Sequence, residues 1–277
     1  MRDVAENAQL ALLLEVTGTP KPGNVDRHRD YPDLRFEHFM AGSVGARRGI
    51  GMAADGARVG RAFERSVHGM AGQSGGNTQF GALLVLLPLV RAAAIDRLSR
   101  DGVASVAERT TVEDACDFYR AFDHVDVAVG KPPETLESLD VRRGSDAVEA
   151  VRERGLTLFD VMELSAERDG VAAEWIDGFP RCFRAAEWLR SGDKSICRRT
   201  SRVFLRLLAE RPDTFVVTRN GPDVAREVTR RARAALDGEA DPEALAESFV
   251  ERDINPGTTA DLTAGGLFIA LERGVEV

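Results

Sequence analysis

The stretch that decides the fold is Gly72-Gln73-Ser74-Gly75-Gly76-Asn77-Thr78-Gln79-Phe80-Gly81, which runs directly into Ala82-Leu83-Leu84-Val85-Leu86-Leu87-Pro88-Leu89-Val90. A loop of small residues thus leads into the most apolar segment of the chain. That segment contains Pro88 and is stopped by Arg91, so it is too short to span a bilayer. It predicts a buried core helix.

The loop before this helix has the composition of an anion site. Glycine lets a backbone take positive φ and approach a ligand closely, and Asn77 or Thr78 is placed to cap the helix. The free N–H groups of a first helical turn attract anions such as phosphate. No Gly-Lys-Ser/Thr closes the loop, so it is not a Walker A motif. Taken alone, such a loop more often forms a tight helix–helix corner, and an anion site is the alternative.

Length, composition and charge favour a helical globular protein that does not bind nucleic acid. The 277 residues can bury a large core, as one domain or two intimately packed halves, and scarce aromatic residues favour helix over sheet. A net charge of −8 argues against nucleic acid as a partner. The charged N-terminus is unlike a signal peptide, and three widely spaced cysteines fit reduced thiols. We expect a cytoplasmic protein with no membrane span. A homodimer is compatible with the sequence.

Apolar periodicity predicts helices along the whole chain and therefore an all-α fold. In the second helix the core candidates are Phe36, Phe39, Met40, Val44, Ile50 and Met52. Residues 213–217 have strand propensity but no partner strand, so we interpret them as a helix or an extended connector. The helices are expected at residues 4–16, 36–54, 59–70, 82–90, 103–108, 112–122, 145–153, 157–169, 171–175, 179–189, 195–208, 224–236, 242–250 and 259–273.

The domain prediction is a single helical enzyme domain over residues 1–277. It has an alternative of two packed halves, 1–125 and 145–277, joined by a polar connector. Four loops rich in small residues and hydroxyls fall at helix ends, at residues 19–27, 72–81, 213–221 and 255–261. In a compact bundle such corners can gather at one end and line a polar cavity.

Those loops carry a family resemblance. Residues 19–27, Thr-Pro-Lys-Pro-Gly-Asn-Val-Asp-Arg, resemble the Pro-Lys-Pro-Gly-x-Val-Asp signature of the triphosphoribosyl-dephospho-CoA synthase family. Residues 75–81 are similar to the family's Gly-x-Asn-Thr-His-Lys-Gly. Residues 213–221 resemble its Asp-Thr…Arg-Gly-Gly element, and 255–262 its Ser-Pro-Gly-Gly-Ser-Ala-Asp-Leu element. The matches follow the family order and cover nearly the whole chain.

The resemblance implies an all-helical enzyme that moves the triphosphoribosyl group of ATP to the ribose 2′-hydroxyl of dephospho-CoA. Adenine leaves, and Mg²⁺ is expected on the triphosphate. Substitution at an anomeric carbon passes through an oxocarbenium-like centre, as in glycoside hydrolysis. Such a catalyst must hold a polyphosphate, stabilise a cation with a carboxylate and deprotonate a hydroxyl.

Each role has candidates within the matching motifs. Glu15, Asp26 and Asp261 are the catalytic candidates, and Asp26 and Asp261 are also the candidate metal ligands. The phosphate and substrate candidates share a positive charge, a backbone N–H in the glycine loop or a hydroxyl. They are Lys21, Arg27, Gly75, Gly76, Asn77, Thr78, Arg219 and Thr258.

The chain departs from the family pattern at one pair of adjacent positions, and Asn220 also replaces a glycine of that pattern. Gln79 and Phe80 stand where the family has His-Lys. Glutamine cannot exchange a proton as histidine does, and phenylalanine cannot contact phosphate through charge. Two alternatives follow: a relative that uses another nucleotide or phosphorylated acceptor, and a non-catalytic nucleotide-binding protein.

Overall fold

The computed structural model describes residues 2–191 and 194–277, and over these residues the protein is helical with no β-strand. The α-helices are, in chain order, α1 (Val4–Thr17), α2 (Phe36–Ala54), α3 (Val59–Met70), α4 (Phe80–Ala93), α5 (Arg100–Glu108), α6 (Val112–Ala121), α7 (Val148–Glu153), α8 (Leu158–Ser165), α9 (Gly170–Asp177), α10 (Pro180–Arg190), α11 (Ile196–Glu210), α12 (Thr214–Asn220), α13 (Pro222–Leu236), α14 (Pro242–Glu251) and α15 (Gly257–Glu272). Two 3-10 helices, Glu134–Leu139 and Val141–Ala147, lie between α6 and α7. The prediction of an all-α fold is confirmed.

Helices α4 and α15 form the centre of the bundle. Residues 82–90 are buried, as the apolar run predicted, and most of α15 is buried as well. The indole N–H of Trp175 on α9 donates to the carbonyl of Leu84 at 3.1 Å, which ties α9 to the middle of α4. A helix that is apolar on every side has no face for solvent, so neighbouring helices surround it.

Helices α2 and α3 cross at glycines. A Cβ added to Gly45 would lie 2.0 Å from the carbonyl oxygen of Gly69, and the reverse substitution would be equally close. The buried face of α2 therefore uses small residues as well as Phe39 and Ile50. The prediction that Val44 belongs to the core is wrong, because Val44 lies on the opposite face and is 64% exposed.

A second, smaller core lies between α11, α13 and α14. Phe204 and Leu208 of α11 belong to this second core, whereas Val203 and Leu207 of the same helix belong to the main core. Residues 213–217 open α12, because the Asp213 carboxylate accepts hydrogen bonds from the amides of residues 215 and 216. This cap starts a helix where strand propensity alone favours an extended chain.

The main core contains buried residues both from the first 125 residues and from residues 145 onwards. The connector between these segments packs back onto the bundle, since Leu139 is buried and the Tyr119 hydroxyl donates to its carbonyl at 2.7 Å. Of the helices described in residues 2–191 and 194–277, none is long and apolar enough to traverse a bilayer.

Candidate active site

A cavity of about 320 Å³ opens beside the first turn of α4. Its walls combine polar helix-end loops with an apolar, partly aromatic surface. The polar lining residues include Glu15, Asn24, Asn77, Thr78, Gln79, Asp169, Thr214, Asn255, Thr258 and Asp261. The apolar lining residues include Phe80, Phe118, Phe122, Val127, Leu136, Leu139, Val161, Met162, Leu164 and Phe215.

Direct hydrogen bonds join the loop motifs around this cavity. The side-chain amide of Asn24 donates to the Asn255 side-chain oxygen at 3.0 Å. The hydroxyls of Thr214 and Thr258 are 3.0 Å apart, and the amide of Gly170 donates to Thr214 at 2.9 Å. Segments remote in sequence are thereby held together at one end of the bundle.

Asp261 lies against the first turn of α4. A Cβ added to Gly81 would lie 2.0 Å from Asp261 Oδ2, so only glycine leaves room for this carboxylate. Burial raises the pKa of Asp261 well above its usual value, and the charges of Glu15, Asp213 and Asp169 raise it further. Among the described residues Asp261 has no ion-pair partner. It therefore adds an uncompensated acidic group to the cavity wall.

Two further aspartates stand close to Asp261. Asp213 is buried, and its second oxygen accepts hydrogen bonds from the amide and the hydroxyl of Thr259, both at 2.7 Å. Asp169 faces the cavity and caps α9, and its Oδ1 accepts from the amides of Val171 and Ala172. Burial raises the pKa of the Asp213 carboxyl and its hydrogen bonds oppose the shift, whereas Asp169 is an exposed residue. Asp169 Oδ2 accepts no hydrogen bond from the part of the chain that the structure describes.

Glu15 lines the cavity with a lysine behind it. The Lys21 ammonium forms an ion pair with Glu15 and also donates to the Asn24 side-chain oxygen at 3.2 Å. Lys21 is fully buried at 0% exposure and does not line the cavity. Burial raises the pKa of Glu15 and the charge of Lys21 lowers it. The structure thus places Lys21 against a protein carboxylate.

Asp26 lies outside the cavity and is fully buried. Its oxygens accept hydrogen bonds from the Thr19 hydroxyl, the Lys21 and His28 amides and the Arg29 guanidinium, at 2.8–3.2 Å. A carboxylate with this many protein donors has little capacity left for another ligand. Its observed contacts shape the loop that holds Lys21.

The cationic residues of the cavity differ from those that the sequence singled out. Arg27 is exposed and Arg219 pairs with Asp253, and neither lines the cavity. Among the residues that the structure describes, the cationic side chains in its wall are Lys131, in the connector, and Arg168, after α8. Neither residue lies in any of the four loop motifs. One available signal was that Lys131 is one of only three lysines in the chain.

The glycine loop contributes its last residues to the cavity, namely Asn77, Thr78 and Gln79, whereas Gly75 and Gly76 lie outside it. Asn77 Oδ1 accepts from the Phe80 amide, the first of α4, at 3.1 Å, but the N-cap residue is Gln79, not Asn77 or Thr78, and its side chain makes no capping hydrogen bond. Gly75 packs against a histidine ring, because a Cβ there would lie 2.2 Å from His38 Nδ1.

Gln79 and Phe80 are both buried. Gln79 is 3% exposed, and neither atom of its side-chain amide has a hydrogen-bond partner among the described residues. Phe80 makes edge contacts with Phe63 and Phe122, at centroid distances of 5.0 and 4.8 Å, and also lies near Phe118. Phe80 therefore belongs to an aromatic cluster.

A metal ion would have to rely on the substrate for part of its coordination. Over residues 2–191 and 194–277, no group of three or more His, Cys, Asp and Glu side chains is arranged to hold a metal ion. Mg²⁺ often takes only one or two protein carboxylates and completes its shell with waters and substrate phosphates. Asp261 fits that requirement because it has no ion-pair partner and lies among other carboxylates, whereas Asp26 does not fit.

The chain is similar to known proteins over nearly its whole length. A family model described as CitG, ATP:dephospho-CoA triphosphoribosyl transferase, matches residues 1–276. A Pectobacterium atrosepticum protein named 2-(5''-triphosphoribosyl)-3'-dephosphocoenzyme-A synthase is 28% identical over 95% of this chain and 86% of its own length. A Pectobacterium carotovorum protein, named a probable synthase of the same kind, is 27% identical with the same coverages.

A solved structure has the same arrangement of helices. It belongs to an Archaeoglobus fulgidus protein provisionally assigned as a triphosphoribosyl-dephospho-CoA synthase. The TM-score is 0.69 at 26% identity, over 87% of this chain and 100% of the other.

Proposed function

The chain belongs to the ATP:dephospho-CoA triphosphoribosyl transferase family, and from that membership we propose that it transfers the triphosphoribosyl group of ATP to the 2′-hydroxyl of 3′-dephospho-CoA. In this reaction the bond from the ribose anomeric carbon to adenine breaks and a bond to the acceptor oxygen forms. The acceptor hydroxyl gives its proton to a carboxylate. Adenine leaves with the electron pair of the broken bond and takes up one proton, so that neutral adenine is released. Three free thiols are compatible with a cytoplasmic location, where ATP is supplied.

The position of Asp261 is the observation that carries this proposal. Its carboxylate lies at the N-terminal turn of α4, and the dipole at this end of a helix attracts anions such as the phosphates of a nucleotide. Asp261 would hold Mg²⁺ together with phosphate oxygens of ATP. The bound cation would supply charge neutralisation along the triphosphate.

The neighbouring carboxylates supply the remaining roles. Asp169 lines the cavity, and its Oδ2 accepts no hydrogen bond from the described residues, so Asp169 can take the proton of the acceptor hydroxyl. Glu15, held in place by Lys21, stabilises the positive charge that develops on the ribose. Asn24, Asn77, Thr78 and Thr258 are hydrogen-bonding residues of the same wall.

The test is the release of free adenine. Purified protein with Mg²⁺, ATP and dephospho-CoA should release adenine in equal amount with a product whose mass equals dephospho-CoA plus the triphosphoribosyl group. Asp261→Ala serves as the site control and should show no release. Adenine at the level of the blank with the wild-type protein would refute the assignment.

Gln79 and Phe80 favour a second candidate, in which the fold and carboxylates are kept but the nucleotide or acceptor differs. Substituting Phe80 by lysine would place a charge among Phe63, Phe118 and Phe122, so the family pair cannot be restored without loss of packing. Assays with other nucleoside triphosphates and phosphorylated acceptors are the better test. Release of the base from another nucleotide in the presence of another acceptor, with no adenine released from ATP and dephospho-CoA, would establish this alternative.

Thermal stabilisation by ATP with no product in any assay would indicate a non-catalytic nucleotide-binding protein.

A further inference from the structure

The connector between α6 and α7 forms one wall of the cavity. Its residues 127–132 line the cavity together with Leu136 and Leu139 of the 3-10 helix. Composition suggested a boundary between two halves here, yet the segment is part of the binding surface. It brings Lys131 to the same cavity as the carboxylates.

Arg168 reaches the cavity from another element. It precedes Asp169, the N-cap of α9, and its amide donates to the Ser165 carbonyl at 3.0 Å, so the backbone here is fixed by the end of α8. Its guanidinium donates to the Leu164 carbonyl at 3.3 Å and forms no ion pair with the residues described. Most of its hydrogen-bonding capacity is therefore available to a ligand.

Helix α12 links these two segments. A Cβ on Gly130 would touch Thr218 at 4.0 Å, which places the connector beside α12. The first residue of α12, Thr214, accepts from the amide of Gly170. The segments that carry Lys131 and Arg168 thus pack against the same short helix and present the two cations of the cavity wall.

An apolar surface accompanies these cations. Leu164 is 41% exposed although it lines the cavity, and Leu136, Pro132 and Phe122 line it as well. A protein with a net charge of −8 repels anions unless a local cationic site receives them. The combination suits a ligand with a phosphate group at one point and an uncharged arm next to it.

We propose that Lys131 and Arg168 bind the diphosphate of the acceptor, while the apolar wall contacts the uncharged arm attached to it. This inference rests on the proposed function, in which two polyphosphates must be held at once. The triphosphate of ATP has the N-terminus of α4 and a cation at Asp261. The diphosphate of dephospho-CoA requires separate positive charges, and Lys131 and Arg168 supply them.

Direct binding measurements test this assignment without requiring turnover. Calorimetric titrations would use dephospho-CoA and, separately, Mg²⁺-ATP, with the wild-type protein and the Lys131→Met, Arg168→Met and double variants. We expect each single substitution to weaken dephospho-CoA binding about tenfold, as for the loss of one charge-assisted contact, and to leave Mg²⁺-ATP binding unchanged. Both side chains are exposed, so unchanged melting temperatures should show that the variants fold.

Two matched variants control for the loss of charge. Lys194→Met and Arg48→Met each remove an exposed cation that does not line the cavity. They should bind dephospho-CoA as the wild type does. A similar loss of affinity in these controls would reduce the effect to overall charge and overturn the proposal.

Two other results would also overturn it. One is unchanged dephospho-CoA affinity in the double variant. The other is loss of Mg²⁺-ATP affinity alone, which would assign these cations to the donor. A further result would separate the two proposals. If the Lys131 and Arg168 variants lose dephospho-CoA affinity but the wild-type protein releases no adenine, the acceptor site is upheld and the proposed reaction is refuted.

Discussion

The carboxylate of Asp261 lies against the backbone of Gly81, so closely that a Cβ at residue 81 would be 2.0 Å from Oδ2. Asp261 belongs to α15 and Gly81 to the first turn of α4, the two central helices of the bundle. A missing side chain on one helix thus creates the space for a carboxylate of the other. The relationship can be tested from both sides.

Gly81→Ala should abolish adenine release while the protein still folds. Alanine is the better helix former, but its Cβ would displace the Asp261 carboxylate. A displacement of about 1 Å at a reacting centre can lower the rate about 100-fold, and we expect at least that loss in kcat/KM. Adenine release and thermal melting followed by circular dichroism would measure the two effects.

Gly51→Ala is the matched control on α2. A Cβ there meets only the end of the flexible Arg47 side chain, at 3.1 Å. This variant should keep its activity and gain up to about 1 kcal/mol of stability, the difference in helix propensity between the two residues. If Gly81→Ala were as active as this control, Asp261 would not need its observed position.

Asp261→Asn should stabilise the protein in the absence of nucleotide and abolish activity. Burial, followed by the charges of Glu15, Asp213 and Asp169, raises the pKa of Asp261 in the folded state. The favourable contribution of Asp261 to the stability of the folded protein is therefore complete below the ordinary pKa of aspartate. It is lost as the pH rises through the raised pKa. Asparagine is neutral throughout. We expect the variant to melt about 3 °C higher at pH 8, a gain that shrinks as the pH falls.

Asp213→Asn gives the contrasting result. Asp213 is also buried with a raised pKa, but both its oxygens accept hydrogen bonds, including those from Thr259. An amide offers only one accepting oxygen, so donors lose their partner and stability should fall by about 2 kcal/mol. Melting curves at the same pH values would compare the two variants. Equal stabilisation in both would show that hydrogen bonding at Asp213 contributes little.

Lys21→Met should destabilise the fold by about 3 kcal/mol, because it leaves the Glu15 carboxylate without its buried ion-pair partner. The double variant Lys21→Met/Glu15→Gln should recover most of that loss, since no unpaired charge remains. Urea unfolding would measure both. A single variant with wild-type stability and weaker ATP binding would instead indicate that Lys21 contacts phosphate.

Gln79→Met should raise stability by about 1 kcal/mol, because both side-chain polar atoms of Gln79 are buried without a partner. Gln73 provides the control within the same loop. Its amide donates to the carbonyls of Met70 and Gly76, so Gln73→Met should lower stability. Thermal melting without ligand would distinguish them. A fall in stability for Gln79→Met would show that this amide is satisfied in solution.

Much of the fold could be predicted because helix signals are local. The apolar run of α4, the Thr111 cap of α6 with Asp114, and the buried stripe of α11 each depend on residues a few positions apart. Val44 was misplaced because the glycines of α2 also form a buried face, and side-chain hydrophobicity does not report backbone contact. At residues 213–217 strand propensity favours an extended chain, and the hydrogen bonds of the Asp213 cap start a helix instead.

The site was less predictable because its contacts join residues far apart in the chain. Motif similarity pointed to Lys21, Arg27 and Arg219 as phosphate contacts, but charge alone does not tell where a side chain points. Lys21 turns inward to Glu15, whereas Lys131 and Arg168, in no motif, line the cavity.

By itself the sequence determined the all-α class, the position of most helices and the family, since each depends on local periodicity or on short motifs in order. Only the tertiary structure decided which charges face the cavity. Burial and pairing depend on the packing of separate helices, as the contact between Asp261 and Gly81 shows. A carboxylate in that contact has a raised pKa and no ion-pair partner among the described residues, two properties that exist only in the folded chain.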